Sequence, residues 1–179
     1  MTKRILGQLT VPEDVTVEIA GNIIKVNGPQ GSAEREIKTK VVDIVSKDNS
    51  VVINRLDTSK RGKMIANTWR AHIKNMFIGV KNNFTYKLKI CSSHFPMNVS
   101  VDKGKVVIKN FMGGKIPRQT PIPGGVNVNI NGDIITVESA DIEKAGGLAG
   151  SIELLTRRTG FDRRRFQDGC YIIMKPKMK

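Results

Sequence analysis

Most of the stretch from Phe95 to Gly114 repeats a stretch near the N-terminus, and this repetition limits the possible folds more than any other feature. Pro96-Met97-Asn98-Val99-Ser100-Val101 matches Pro12-Glu13-Asp14-Val15-Thr16-Val17 as Pro-x-(Asp/Asn)-Val-(Thr/Ser)-Val, 84 positions on from Pro12 to Pro96. Ile108-Lys109-Asn110-Phe111-Met112-Gly113 likewise answers Val26-Asn27-Gly28-Pro29-Gln30-Gly31 as apolar-x-(Gly/Asn)-x-x-Gly, 82 positions on from 26 to 108. The two-residue difference falls in the turn between strands, where insertions are best tolerated. Further along, Val51-Val52-Ile53 precedes a helical pattern at Ile65, Trp69, Ile73, Met76, Phe77 and Val80. Ile134-Ile135-Thr136-Val137 precedes a second, at Ala145, Leu148, Ala149, Ile152 and Leu155. At an offset of 79, Trp69 falls on Leu148 and Ile73 on Ile152. The predicted fold class is therefore α+β: two tandem duplicated domains, residues 1–82 and 83–179, each an antiparallel sheet with one packed helix. Two copies make a duplication, not a solenoid.

A chain of 179 residues has room for two small cores of this kind. Thirty Lys and Arg against sixteen Asp and Glu leave a net charge of +14. Such a surplus repels itself and points to a polyanionic partner, most often nucleic acid, with a merely soluble basic surface as the plain alternative. Two cysteines, Cys91 and Cys170, are too few for a disulfide framework, so an intracellular, cytoplasmic setting is expected. Lys3-Arg4-Ile5-Leu6 opens like a signal peptide, but Gly7, Gln8 and Thr10 break the apolar run. No run approaches the ~20 apolar residues of a membrane span, so no membrane partner is expected.

In order, residues 1–10 read as an extended lead-in. Val15 to Ile19 and Asn22 to Val26 alternate as a hairpin, and Gly28-Pro29-Gln30-Gly31 is a turn chosen for its backbone conformation, with anion binding as the alternative. Ser32 to Ile37, Val41 to Val45 and Val51 to Asn54 read as further strands. Asp57, Thr58 or Ser59 caps the first helix, and Lys60, Arg61 and Lys63 crowd its first turn. Cations are disfavoured at that end of a helix dipole, so the cluster reads either as a site for an outside anion or as solvent-exposed charge. Residues 81–86 link the repeats, and Phe84 to Ile90 alternates as a strand. The Gly/Pro-rich stretch 113–125 reads as a long loop whose Lys115 and Arg118 can take phosphate oxygens or be incidental. Asp141 fits the N-cap of the second helix. Gly146, Gly147 and Gly150 lie inside that helix at about 1 kcal/mol each relative to Ala, which suggests close approach of the sheet beneath or of RNA from outside.

The tail is richest in chemistry. Arg157, Arg158, Arg163, Arg164, Arg165, Lys175, Lys177 and Lys179 face only Asp162 and Asp168, whereas residues 91–156 balance six cations with six acids. Arg forks onto phosphate and stacks on bases, and Phe161, Phe166 and Tyr171 are interleaved with the cations. An RNA contact is expected here over a solvated charge run. Gly169-Cys170-Tyr171-Ile172-Ile173 reads as a last strand that would pin the basic segment to the second domain. No catalytic constellation is expected. Cys91 and His94 have Cys-x-x-His spacing but no second ligand pair, so neither metal, cofactor nor small-molecule substrate is expected. No Walker loop is present.

Several blocks together carry a resemblance. They are Pro12-Glu13-Asp14-Val15 with Val26-Asn27-Gly28-Pro29-Gln30-Gly31, Ile73 to Val80, Phe95-Pro96-Met97-Asn98-Val99, Ile108-Lys109-Asn110-Phe111, Asp141-Ile142-Glu143, and Arg165-Phe166-Gln167-Asp168-Gly169. In this order the chain resembles, almost end to end, the universal large-subunit ribosomal protein family called L-six in bacteria and L-nine in eukaryotes, and its eukaryotic and archaeal branch above the bacterial one. The resemblance implies a non-enzymatic constituent of the large subunit on cytosolic ribosomes. Its partners would be large-subunit ribosomal RNA and neighbouring ribosomal proteins. The C-terminal domain would make most RNA contact, near the factor-binding and sarcin-ricin region. Carried over by position, this points to Lys115, Arg118, Arg157, Arg158, Arg163, Arg164 and Arg165. A free RNA-binding or RNA-chaperone module is the rival with the same charge.

Replacing Arg163, Arg164 and Arg165 with Ala should reduce incorporation into large subunits more than replacing Lys38, Lys40 and Lys47. Quantitative analysis of subunit fractions would measure this, and equal effects would refute the assignment to the tail.

Overall fold

The computed structural model describes residues 4–47, 49–162 and 164–177. The chain divides into two units, Met1–Asn83 and Phe84–Lys179. In the first the element order is β1 (Arg4–Thr10), β2 (Thr16–Ala20), β3 (Ile23–Gly28), β4 (Gly31–Glu36), β5 (Val42–Lys47), β6 (Ser50–Arg55) and α1 (Lys60–Lys81). In the second it is β7 (Phe84–Cys91), β8 (Asn98–Asp102), β9 (Lys105–Lys109), β10 (Arg118–Pro121), β11 (Val126–Asn131), β12 (Ile134–Ser139), α2 (Ile142–Leu155) and β13 (Gly169–Met174). A single 3-10 turn, Phe111–Gly113, lies between β9 and β10.

Alternation sets the strands and their register. β2 and β3 form the expected hairpin, with Val17 opposite Val26 and Ile19 opposite Ile24. The duplication is visible in the pairing. Sheet β2-β3-β4 recurs as β8-β9-β10, and sheet β1-β6-β5 recurs as β7-β12-β11, all antiparallel. The helices correspond as well: Ala66, Trp69 and Ile73 on α1 and Ala145, Leu148 and Ile152 on α2 are all buried. Each unit is thus an α+β copy of the other. The second copy adds β13, which pairs with the edge of β7 left over by the shared pattern.

Each unit has its own core. In the first, Ile24, Val26, Val51, Ile53, Ile73 and Val80 are fully buried between sheets and α1. In the second, Leu88, Val106, Ile108, Ile135, Val137 and Ile152 fill the same role. Burying one such side chain contributes about 1.5–3 kcal/mol, so each core is a sum of small equal parts with no dominant residue.

Three sequence expectations are revised. Residues 4–10 are a paired strand and not merely a lead-in, because β6 offers them a ladder from Arg4↔Arg55 to Thr10↔Ser50. The join between repeats shrinks from 81–86 to Asn82 and Asn83: α1 continues through Lys81, Asn82 N–H donates to Ile78 O, and Phe84 already belongs to β7. The loop at 113–125 is interrupted by β10, whose Arg118 to Pro121 pair with Ile108 to Lys105.

The turn at Gly28-Pro29-Gln30-Gly31 is structural. A Cβ on Gly28 would lie 2.8 Å from both the carbonyl oxygen and Cγ2 of Val80 on α1, and Gln30 N–H donates to that same carbonyl at 2.9 Å. On α2 the glycines differ. A Cβ on Gly146 would meet Tyr86 Oη at 2.8 Å, which makes this the close approach to the sheet, while one on Gly147 or Gly150 would meet nothing within 4 Å. Gly28→Ala should therefore destabilise the first unit by about 1–3 kcal/mol through overpacking. Gly147→Ala should stabilise the second by up to about 1 kcal/mol through helix propensity. Urea midpoints of the two variants, moving in opposite directions, test this.

Candidate nucleic-acid interface

The basic segment is closed at its base by one hydroxyl. Where α2 ends, buried Thr156 donates from Oγ1 to Glu153 O at 3.1 Å and accepts from Cys170 N–H at 2.9 Å, so the loop at 157–168 leaves and returns at one point. Burial pushes the Cys170 thiol up to about 12, with the neighbouring Cys91 adding to the rise, so it packs as a small apolar side chain.

Within the loop, aromatic rings alternate with cations. The Arg158 guanidinium lies 4.0 Å over the Phe161 ring, Phe161 meets Phe166 edge-on at 4.9 Å, and Phe166 stacks on His94 at 4.9 Å with 25° between planes. Asp162 makes the turn: its carbonyl accepts from the N–H groups of Arg165 and Phe166, and its carboxylate accepts from the backbone and guanidinium of Arg164. Those Arg164 hydrogen bonds lower the Asp162 carboxyl below its usual value.

Asp168 anchors the segment. Its Oδ1 accepts from Ser93 N–H at 2.6 Å and His94 N–H at 3.0 Å, while Oδ2 meets His94 Nδ1 at 2.6 Å and Ser93 Oγ at 3.2 Å. Its side chain is 4% exposed. Burial by itself would raise the carboxyl, but the bonds from the His94 backbone and ring and from Ser93 overcome it and hold the group at about 2. An ionised carboxylate only accepts, so Nδ1 of His94 carries the proton between them. The Cys-x-x-His spacing noticed in the sequence therefore serves this pin, with His94 committed to a carboxylate.

Arg157, Arg158, Arg164 and Arg165 are exposed on this loop, and Lys175 and Lys177 are exposed after β13. Arg163 lies outside the described residues. Lys115 is exposed in the short connection before β10. Arg118 is half-buried and directed inward: its Nη1 donates to Leu155 O, and its Cζ sits 4.4 Å over the Phe111 ring. It caps the C-terminal carbonyls of α2, where a cation is favoured by the helix dipole. On the first unit, Lys60, Arg61 and Lys63 are exposed on the first turn of α1. Ser59 caps that helix, accepting from Gly62 N–H at 3.1 Å, and Asp57 accepts from Ser59 N–H and Oγ. Those bonds lower the Asp57 carboxyl, so part of the compensating negative charge comes from the chain itself. No residue spacing signals the Asp168 pin; its one sign in the sequence is that Asp168 stands directly before the glycine that opens β13.

Over residues 11–83 and again over 95–169 the chain matches the family model Ribosomal protein L6, once in each repeat. The chain belongs to the ribosomal protein L6 family, a family of ribosomal proteins and not of enzymes. It is 42% identical over 176 residues to large ribosomal subunit protein uL6 of Nanoarchaeum equitans, covering 94% of this chain and 92% of that one. The protein of the same name from Aeropyrum pernix is 43% identical over 169 residues, covering 94% and 93%. That of Methanothrix thermoacetophila is 38% identical over 175 residues, covering 98% and 99%.

A carboxyl held at about 2 against 3.8 stabilises the folded state fully above pH ~4, and this stability is lost as pH falls through about 2. Asp168→Asn should therefore be less stable than wild type by on the order of 2 kcal/mol at neutral pH, the gap closing as pH drops from about 4 to about 2. Unfolding midpoints of both proteins across that range measure it; a gap that stays constant with pH would contradict the role given to the charge.

Proposed function

We propose that this chain is a structural constituent of the large ribosomal subunit, on cytosolic ribosomes. It binds ribosomal RNA chiefly through its second unit, near the factor-binding and sarcin-ricin region, and sits among other large-subunit proteins. The observation that supports this most is the loop at 157–168. Among the described residues, Arg157, Arg158, Arg164 and Arg165 repel one another on a backbone braced by the Asp168 array and the His94–Phe166–Phe161 ring series. A preorganised cationic surface loses less entropy when a phosphate backbone docks on it.

Arg157, Arg158, Arg163, Arg164, Arg165 and the lysines at 175 and 177 form the principal contact, and Lys115 extends it. Lys60, Arg61 and Lys63 form a second, smaller one on the first unit. Arg118 acts differently, as the internal cap of α2 that fixes where the arginine loop begins. If six phosphates are neutralised, affinity for isolated duplex RNA falls with a log-log salt slope of roughly −5, a loss of about a thousandfold between 50 and 200 mM salt.

A sucrose gradient of native lysate, probed for this chain before and after a high-salt wash, tests the proposal. Sedimentation with large subunits and polysomes that survives the wash is the expected result. Recovery at the top of the gradient would leave a free RNA-binding or chaperone protein built on the same fold.

A further inference from the structure

Between the end of α2, the arginine loop and the turn after β9 lies a hollow of about 270 Å3, many times the roughly 10–15 Å3 that one water needs. Part of its wall is apolar, beside a polar lining. Phe161, Leu154 and Met112 line it, with Phe161 38% and Leu154 63% exposed, while Arg157 and Arg158 stand at its edge. Met112 keeps a left-handed backbone at φ 53, an unfavourable conformation for a side chain with a Cβ and one that clusters at binding sites. A phosphate gains nothing from the apolar part of the wall, but the face of a nucleobase does.

The polar lining is selective. Asp168 borders the hollow, but its oxygens are taken up by Ser93 and His94, and the Thr156 hydroxyl is engaged with Glu153 O and Cys170 N–H. Glu153 differs. Among the described residues its carboxylate takes up only Ile172 N–H, at 3.5 Å, the outer limit of a hydrogen bond. A carboxylate pairs best with two adjacent N–H donors. Of the four RNA bases only guanine presents such a pair, N1–H beside the N2 amino group.

Resting on the RNA-binding reading above, we propose that this hollow receives one unstacked guanine. Its ring lies against Phe161, its N1–H and N2–H edge faces Glu153, and its flanking phosphates lie on Arg157 and Arg158. The site confers a base preference on a surface whose remaining cations are indifferent to sequence.

The test uses the full chain and fluorescently labelled oligoribonucleotides: one of uridine alone, one with a single central guanosine, and one with a central adenosine. Fluorescence anisotropy at one fixed salt concentration gives the affinities. The guanosine oligonucleotide should bind about tenfold more tightly than the other two. Glu153→Gln should reduce that preference to about twofold or less while leaving binding of the uridine oligonucleotide unchanged. Phe161→Leu should weaken the guanosine oligonucleotide more than the uridine one, with some loss for both because the ring also packs against Phe166 and Arg158. Equal affinity for all three, with binding still dependent on Arg157 and Arg158, would overturn the pocket and spare the RNA reading. No binding, or binding indifferent to Arg157→Ala and Arg158→Ala, would overturn both.

Discussion

Asp168 contributes the constraint on which the second unit's surface depends. Its partners Ser93 and His94 lie 75 and 74 residues earlier in the chain. What brings them together is strand register: β13 pairs with β7 so that Gly169 lies opposite Cys91, and the residue before Gly169 necessarily falls beside the residues after Cys91. The ladder thus places a carboxylate under the backbone N–H groups of a turn, and burial of that carboxylate is tolerable only because four donors surround it. A slip of one position would turn Asp168 away and bury an unpaired charge. Register and charge therefore specify each other, and the arginine loop inherits its shape from both.

The two copies show how an arginine-rich segment is added without disturbing a scaffold. Both keep the same pair of sheets and the same helix face, but α1 runs for 22 residues and α2 for 14. The shorter helix ends at Leu155 under the Arg118 guanidinium, and the chain then leaves as the arginine loop and returns as β13 along the free edge of β7. The sheet edge thereby moves from β7 to β13. The first unit has no such excursion: its chain passes from Lys81 through Asn82 and Asn83 straight into β7.

Element identity was legible because it is local. Period-two alternation marks β2, β3 and β7, the helical stripe marks α1 and α2, and the repeat itself aligns Trp69 with Leu148. The fates of individual cations were not legible, since they depend on what stands opposite in space. Arg118 and Lys115 are three positions apart in one basic loop by sequence, but only Arg118 comes within reach of the last carbonyl of α2, 37 residues on. His94 read as half of an incomplete metal motif because Cys-x-x-His is visible in one dimension, whereas a carboxylate 74 residues away is not. The glycines of α2 divided for the same reason: Gly146 faces Tyr86, while Gly147 faces open space.

The arrangement of Arg164 and Asp162 bears on how a strongly basic loop stays folded despite the repulsion among its arginines. Their ion pair, 3.0 Å between Arg164 Nη2 and Asp162 Oδ2, has the arginine side chain 91% exposed. Exposed pairs of this kind contribute little to stability, so the interaction costs little to give up. It still does two things while the protein is free. It lowers the local density of positive charge, and it holds one guanidinium in a fixed direction. A phosphate, with more acceptor oxygens and a less solvated setting once docked, is the stronger partner for the same fork. Asp162 then remains tied to the loop by its carbonyl, which accepts from Arg165 and Phe166 whatever its carboxylate does. The backbone turn and the charge pair are thus separable, and under the proposed RNA contact the loop exchanges its internal anion for a phosphate without losing its shape.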